Sequence, residues 1–419
     1  MNPSKSIGNG RFGPASQWYP WLLLIFLWCV SFLNYANRAI LIATMPAIRG
    51  EFDLSATQLA LLNSVFLWTY AVASIFAGWL GDRMSRSRVI ILGLIAWSVA
   101  TGLVPLAASF PLLLALRALV GLCESSYYPS GTALIGDWFP QKMRSRALSL
   151  HQTAVFAGSG IGALIAAIIA DRFGWRASFL LFGVLGVLLA LFLMAYLHDR
   201  PVVTQKVPSK SAPLKTVLRI RPALYLCGVF FFANAAATGV MVWAPTFVHD
   251  ALGLTLTGSA LYGAAPVYIA GFLVVPIGGF LGDWMMARTV LGRIYVLAGG
   301  LVIAALFLLP LSFTASGLMV ALTLLIGSAG KGLFDGCIYA AMQDVVPAEA
   351  RASAVGLMTA IGFAGAGIAP LMVAQIAGVF GMAAGLTSLA ALYVVAVGIL
   401  VASQSSTKRV ILSTIPQSG

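Results

Sequence analysis

Five ionisable side chains fall in stretches of this 419-residue chain that are otherwise apolar: Arg38, Arg117, Glu124, Lys331 and Asp335. A charge at the centre of a membrane helix costs about 2.5–3.5 kcal/mol even on a lenient scale, so each is expected to face a cavity or a partner. Glu124 follows Arg117 by seven residues, two turns along one face, and Asp335 follows Lys331 by four, close enough to pair. With all five ionised the sum is +1, and protonating Glu124 makes it +2. A cavity that grows more positive on protonation binds an anion better, and the anion raises proton affinity by the same factor. Glu124 is therefore the expected proton carrier, with Asp335 as a second proton-coupling candidate. Arg38 is the leading clamp for a carboxylate, because a guanidinium matches it bidentately, and Arg117 steers the anion or pairs with Glu124. Lys331–Asp335 reads equally as a substrate group and as a self-satisfied helix pair.

Polar residues at similar levels, namely Asn34, Tyr35, Asn37, Tyr70, Tyr127, Gln152, Asn234 and Tyr339, could hydrogen-bond a polyhydroxylated substrate; Tyr and Asn also join helices to one another. His151 is expected near an interface, with His198 and His249 outside the apolar core, so no metal site is expected. Cys29, Cys123, Cys227 and Cys337 lie in apolar runs without CxxC spacing, which disfavours a disulfide or metal framework. No nucleophile–base constellation and no phosphate loop is visible. Neither an enzyme nor an ATP-driven pump is expected, and no cofactor beyond a proton gradient as energy source.

The elements that must hold these residues follow from composition: 60% hydrophobic and 9% charged, against about 25% charged for a soluble domain. Continuous apolar runs rule out a barrel of ~10-residue alternating strands, leaving an all-α membrane protein with twelve spans of ~20 residues. The expected spans are 19–44, 57–82, 88–107, 111–138, 146–170, 177–197, 222–247, 257–283, 291–312, 316–344, 352–380 and 382–403. Of the 25 Lys and Arg, 19 fall on one side of the membrane and 3 on the other. That asymmetry places both termini in the cytoplasm, and it explains the net charge of +13 without nucleic acid. The organisation is a cytoplasmic tail (1–18), a six-helix bundle (19–198), a cytoplasmic linker (199–221), a second six-helix bundle (222–403) and a tail (404–419). A monomer in a bacterial inner (plasma) membrane is expected, with the bilayer, a small organic anion and protons as its partners.

The two bundles repeat. Pro140, Arg144, Ala147 and Leu150 recur as Pro347, Arg351, Ala354 and Leu357 at a constant offset of 207, which also carries Gly158 and Gly160 onto Gly365 and Gly367. Asp82 in Gly78-Trp-Leu-Gly81-Asp82-Arg83 has a counterpart in Asp283 of Gly279-Phe-Leu-Gly282-Asp283-Trp. Parallel halves with a site between them suit a transporter. The glycines let helices approach, and Asp82 can pair with arginines such as Arg83 and Arg86 or with a helix N-terminus. Together with Asp283, Arg144 and Arg351 these form the expected conformational gate.

Residues 78–88 resemble the loop signature of the major facilitator superfamily. Arg117, Glu124, Pro129, Trp138-Phe139-Pro140 and Arg144, followed by Gly174-Trp175-Arg176, resemble its anion:cation symporter branch, which implies uptake of sugar acids and other organic anions with protons. Arg117–Glu124 and Asn34-Tyr35 are also similar to the spinster-like lysolipid carriers, which typically lack the proline. Both branches commonly place Asp before the first-span arginine, where this chain has Asn37, so a two-carboxylate coupling scheme does not transfer unaltered. The fifth span lacks the Gly-Pro run associated with antiporters. The reading is a proton-coupled importer of a sugar acid or related monocarboxylate working by alternating access. The alternatives are a spinster-like lysolipid or sphingolipid carrier and a proton-antiport drug or metabolite exporter.

Overall fold

A chain that crosses hydrocarbon must satisfy its own backbone, and a helix does so within one segment. The computed structural model describes residues 16–54, 56–200, 213–253, 260–313 and 316–414. Among these, twelve helices are long and apolar enough to span a membrane, in two six-helix halves. The first half comprises α1 (Tyr19–Phe52), α2 (Ala56–Arg83), α3 (Arg86–Leu103), α4 (Phe110–Glu124), α5 (Tyr127–Trp138), α6 (Arg144–Phe173) and α7 (Trp175–Tyr196). A short helix α8 (Pro213–Arg219) precedes the second half: α9 (Arg221–Leu252), α10 (Ala265–Met286), α11 (Gly292–Leu308), α12 (Gly317–Val345), α13 (Arg351–Phe380) and α14 (Met382–Thr414). The linker residues 201–212 and the first fifteen residues lie outside the described part.

Local chemistry sets the ends. Prolines open α1, α4, α9 and α10, where a missing N–H costs nothing, and Ser85 and Ser316 cap α3 and α12. Gly174 and Gly381, again 207 apart, end α6 and α13 with φ of 83° and 85°, a conformation that side chains with a Cβ avoid. Two expectations need correction. The fourth span is broken into α4 and α5 at Ser125 and Ser126, whose hydroxyls bond back to the carbonyls of Leu122 and Cys123. Pro129 deepens the break, since its ring excludes the helical carbonyl four residues before it. The last helix does not stop at 403 but runs to Thr414, because Ser403, Thr407 and Ile411 recur every fourth residue as a buried stripe.

The halves meet where α2 packs along α13 and α6 along α10. Both outer ends of the twelve-helix run lie on one membrane face, called here the terminal side.

Candidate functional site

On the terminal side the halves are joined by a lattice of charges. Asp82, near the end of α2, accepts the N–H groups of Ala352 (2.9 Å) and Ser353 (2.7 Å) at the start of α13. Asp283 on α10 accepts those of Ser145 (3.1 Å) and Arg146 (3.0 Å) at the start of α6, and the Arg293 guanidinium at 2.7 Å. Each carboxylate thus sits on the positive end of a helix in the opposite half. Asp137 accepts from Arg86 of its own half and from Arg351 of the other at 3.0 Å. Asp344 accepts from Arg293 of its own half and from Arg144 of the other at 3.1 Å. Gly78 lies against the Ala352 carbonyl and Gly81 against Ser130 and Ala352, so a Cβ at either would collide with the facing chain.

Of the residues expected at the gate, Asp82, Arg86, Asp283, Arg144 and Arg351 lie in this lattice, at contacts between the halves or bracing them. Arg83 departs from expectation. It is exposed, stacks on the Trp79 ring at 4.3 Å, and makes no ion pair among the described residues. Asp137, Asp344 and Arg293 were missed, although the 207-residue offset pairs Asp137 with Asp344 and Arg86 with Arg293.

Deeper in the membrane lies a cavity with about 570 Å³ of empty space. The first half lines it with Tyr35, Tyr70, Tyr128 and Gln152. The second half contributes Asn234, Lys331, Asp335, Tyr339, Thr359 and Phe363. Lys331 Nζ donates to Asp335 at 2.6 Å and to Asn234 Oδ1 at 3.3 Å, a pair on the wall of the cavity itself. Tyr128 donates to Gln152 and packs on Tyr339 across the halves, 5.3 Å between ring centroids.

Arg38 lies behind this wall. Its guanidinium stacks on the rings of Tyr35 and Tyr70, at 4.5 Å each, donates to Glu124 at 3.0 Å and to Asn34 Oδ1 at 3.0 Å, and does not line the cavity. Arg117 neither lines the cavity nor hydrogen-bonds Glu124; it is fully buried, with Phe66 at 4.9 Å and its Nε without a partner. Seven residues separate Arg117 from Glu124 by about 10 Å along the axis, so an arginine on a neighbouring helix reaches the carboxylate first. Asn37 is buried with Oδ1 unbonded, away from the cavity. Tyr127 is turned into the protein, donating to the Leu27 carbonyl at 2.5 Å and meeting His151 Nε2 at 2.6 Å. His151 is therefore fully buried rather than interfacial.

Residues 27–370 match the Major Facilitator Superfamily. The chain belongs to that superfamily. Like other members it is a transporter and not an enzyme. The hexuronate transporter of Bacillus subtilis (strain 168) is 27% identical over 394 residues, 89% of this chain and 93% of that one. The protein spinster of Drosophila melanogaster is 29% identical over 324 residues, 72% of this chain and 51% of its own length. Among solved major facilitator structures, that of FucP in the outward conformation has a TM-score of 0.72 at 19% identity, covering 90% of this chain and 97% of FucP.

Proposed function

We propose that this transporter imports a small organic anion of the sugar-acid or monocarboxylate class together with protons. The observation that carries the reading is a pair of cation–carboxylate contacts at mid-membrane, one per half: Arg38–Glu124 at 3.0 Å and Lys331–Asp335 at 2.6 Å. Each is electrically neutral as it stands. One proton on the carboxylate leaves its cation without a counter-charge in a low-dielectric site, which an anion then supplies. The anion in turn holds the proton in place, so the two travel together.

Lys331 takes the role first expected of Arg38, because it lies on the cavity wall beside Asn234, with Asp335 as the acid that releases it. Arg38 and Glu124 act one layer back, Glu124 as proton carrier and Arg38 as the cation whose partner that proton removes. Tyr35, Tyr70, Tyr339, Gln152 and Asn234 supply donors and acceptors to hydroxyl groups on the cargo. The hexuronate transporter among the relatives supports the substrate class.

The excess of Lys and Arg on the terminal side makes that face cytoplasmic, with both termini inside the cell. The lattice is then a closed cytoplasmic gate, which supports alternating access through an outward state like that of the FucP structure. The deciding experiment reconstitutes the purified protein in liposomes and follows labelled glucuronate with and without an inward proton gradient. Accumulation above equilibrium that collapses with a protonophore is the expected result. Equal filling with and without the gradient would remove the coupling.

A further inference from the structure

A second cavity, with about 680 Å³ of empty space, lies inside the second half. Its walls are Thr238 and Met241 of α9, Val267 of α10, Leu308 of α11, Leu324 of α12 and Tyr393 of α14, so most of its surface is carbon. A wall that is mostly carbon favours an apolar guest over water. The wall has room at Gly327, where a Cβ would meet nothing nearer than Phe307 at 3.7 Å. The cavity adjoins the polar one, and Phe156, Lys331 and Asp335 line both. Phe156 reaches over from α6 to lie where a Cβ on Gly271 would stand, so an aromatic ring marks the junction beside the ion pair.

We propose that the cargo is an amphipathic carboxylate, its hydroxylated part in the polar cavity and an apolar arm in the second one. The inference rests on the reading of Lys331 as the carboxylate's receptor, because a group anchored at the junction directs the rest of the molecule into both spaces. A free hexuronate fills only the polar side and leaves the apolar cavity without a guest. A uronic acid carrying an aryl or alkyl group through a glycosidic oxygen fills both, and burial of the arm's carbon surface adds to affinity. The arm belongs to the cargo rather than to a lipid, because the cavity ends on a charged pair that an acyl chain would have to desolvate.

The test measures binding to the full-length purified protein in detergent, at acidic pH, with glucuronate and phenyl β-D-glucuronide as probes. Phenyl glucuronide is expected to bind at least about tenfold more tightly, the scale of one buried ring. Thr238→Phe should abolish that advantage while glucuronate binds as before, and Val267→Phe, from the opposite wall, guards against a misfolded first variant. Equal affinity of the two probes for the unaltered protein overturns the proposal while leaving the carboxylate receptor intact. Unchanged binding of both probes to Lys331→Ala instead overturns the receptor reading beneath it. A lysolipid that displaces phenyl glucuronide and binds Lys331→Ala equally well gives the cavity to lipid and also overturns the proposal.

Discussion

Glu124 and Lys331 stand 207 residues apart, at equivalent positions in the two halves, yet they carry opposite charges and are held differently. Glu124 on α4 takes its partner from another helix, Arg38 on α1, and its side chain is fully buried. Lys331 finds its partner one turn along its own helix, on the wall of the cavity. Asn34 and Asn234 play matching parts, each offering its Oδ1 to the cation of its half. Separating Arg38 from Glu124 breaks a link between two helices, whereas separating Lys331 from Asp335 frees an ammonium within one helix. The first arrangement suits a latch that senses a proton, and the second suits a receptor for an anion.

Five variants, one of them followed across pH, put that contrast to the test. Lys331→Ala should have the largest effect on transport, at least a hundredfold drop in the initial rate of glucuronate uptake (roughly 2.7 kcal/mol), since the proposed receptor itself is gone. Glu124→Gln should abolish gradient-driven accumulation while glucuronate exchange across liposomes persists; loss of exchange too would show that Glu124 does more than carry a proton. Asp344→Asn leaves Arg293 and Arg144 without their shared carboxylate, and breaking a buried pair costs about 3–5 kcal/mol. Faster hydrogen exchange at the terminal-side end of α12 is the expected sign, with glucuronate binding retained.

The smaller effects lie at the edges of the molecule. Arg176 and Trp175 donate to Glu51 beyond the end of the first span and hold its carboxyl below the usual carboxylate range. A depressed folded value means stability that is present above the unfolded value of about 4.3 and lost as pH falls through the folded one. The melting temperature should therefore fall in acid less steeply for Glu51→Gln than for the unaltered protein. Arg83→Ala, outside the lattice, should change transport and melting temperature least of all.

The helices were readable because apolar run length fixes them, and the gate was half readable. Asp82 could be foreseen on a helix N-terminus, since a carboxylate after a glycine motif has few other uses at a membrane face. That Asp137 would meet Arg351 and Asp344 meet Arg144 could not be foreseen: periodicity sets which face a residue is on, not which face 200 residues away comes to meet it. The offset that relates these four residues was nevertheless in the sequence. Tyr127 and Tyr128 show a different limit. Neighbours on a helix point about 100° apart, so the two tyrosines cannot both face the cavity, and it is Tyr128 that lines it. Arg38 was placed at the right depth but on the wrong side of a tyrosine wall, a matter of rotation that depth does not determine.

The swapped aspartates have a consequence for how readily the two halves could part on the terminal side. A seal of hydrocarbon would have to be wetted to part, at about 25 cal/mol for every Å² exposed, with nothing returned. Carboxylates and guanidiniums brought from a dry interface into water regain hydration that offsets much of the attraction they lose. A barrier made of ions can thus be tight when shut and still be undone and remade at every turnover.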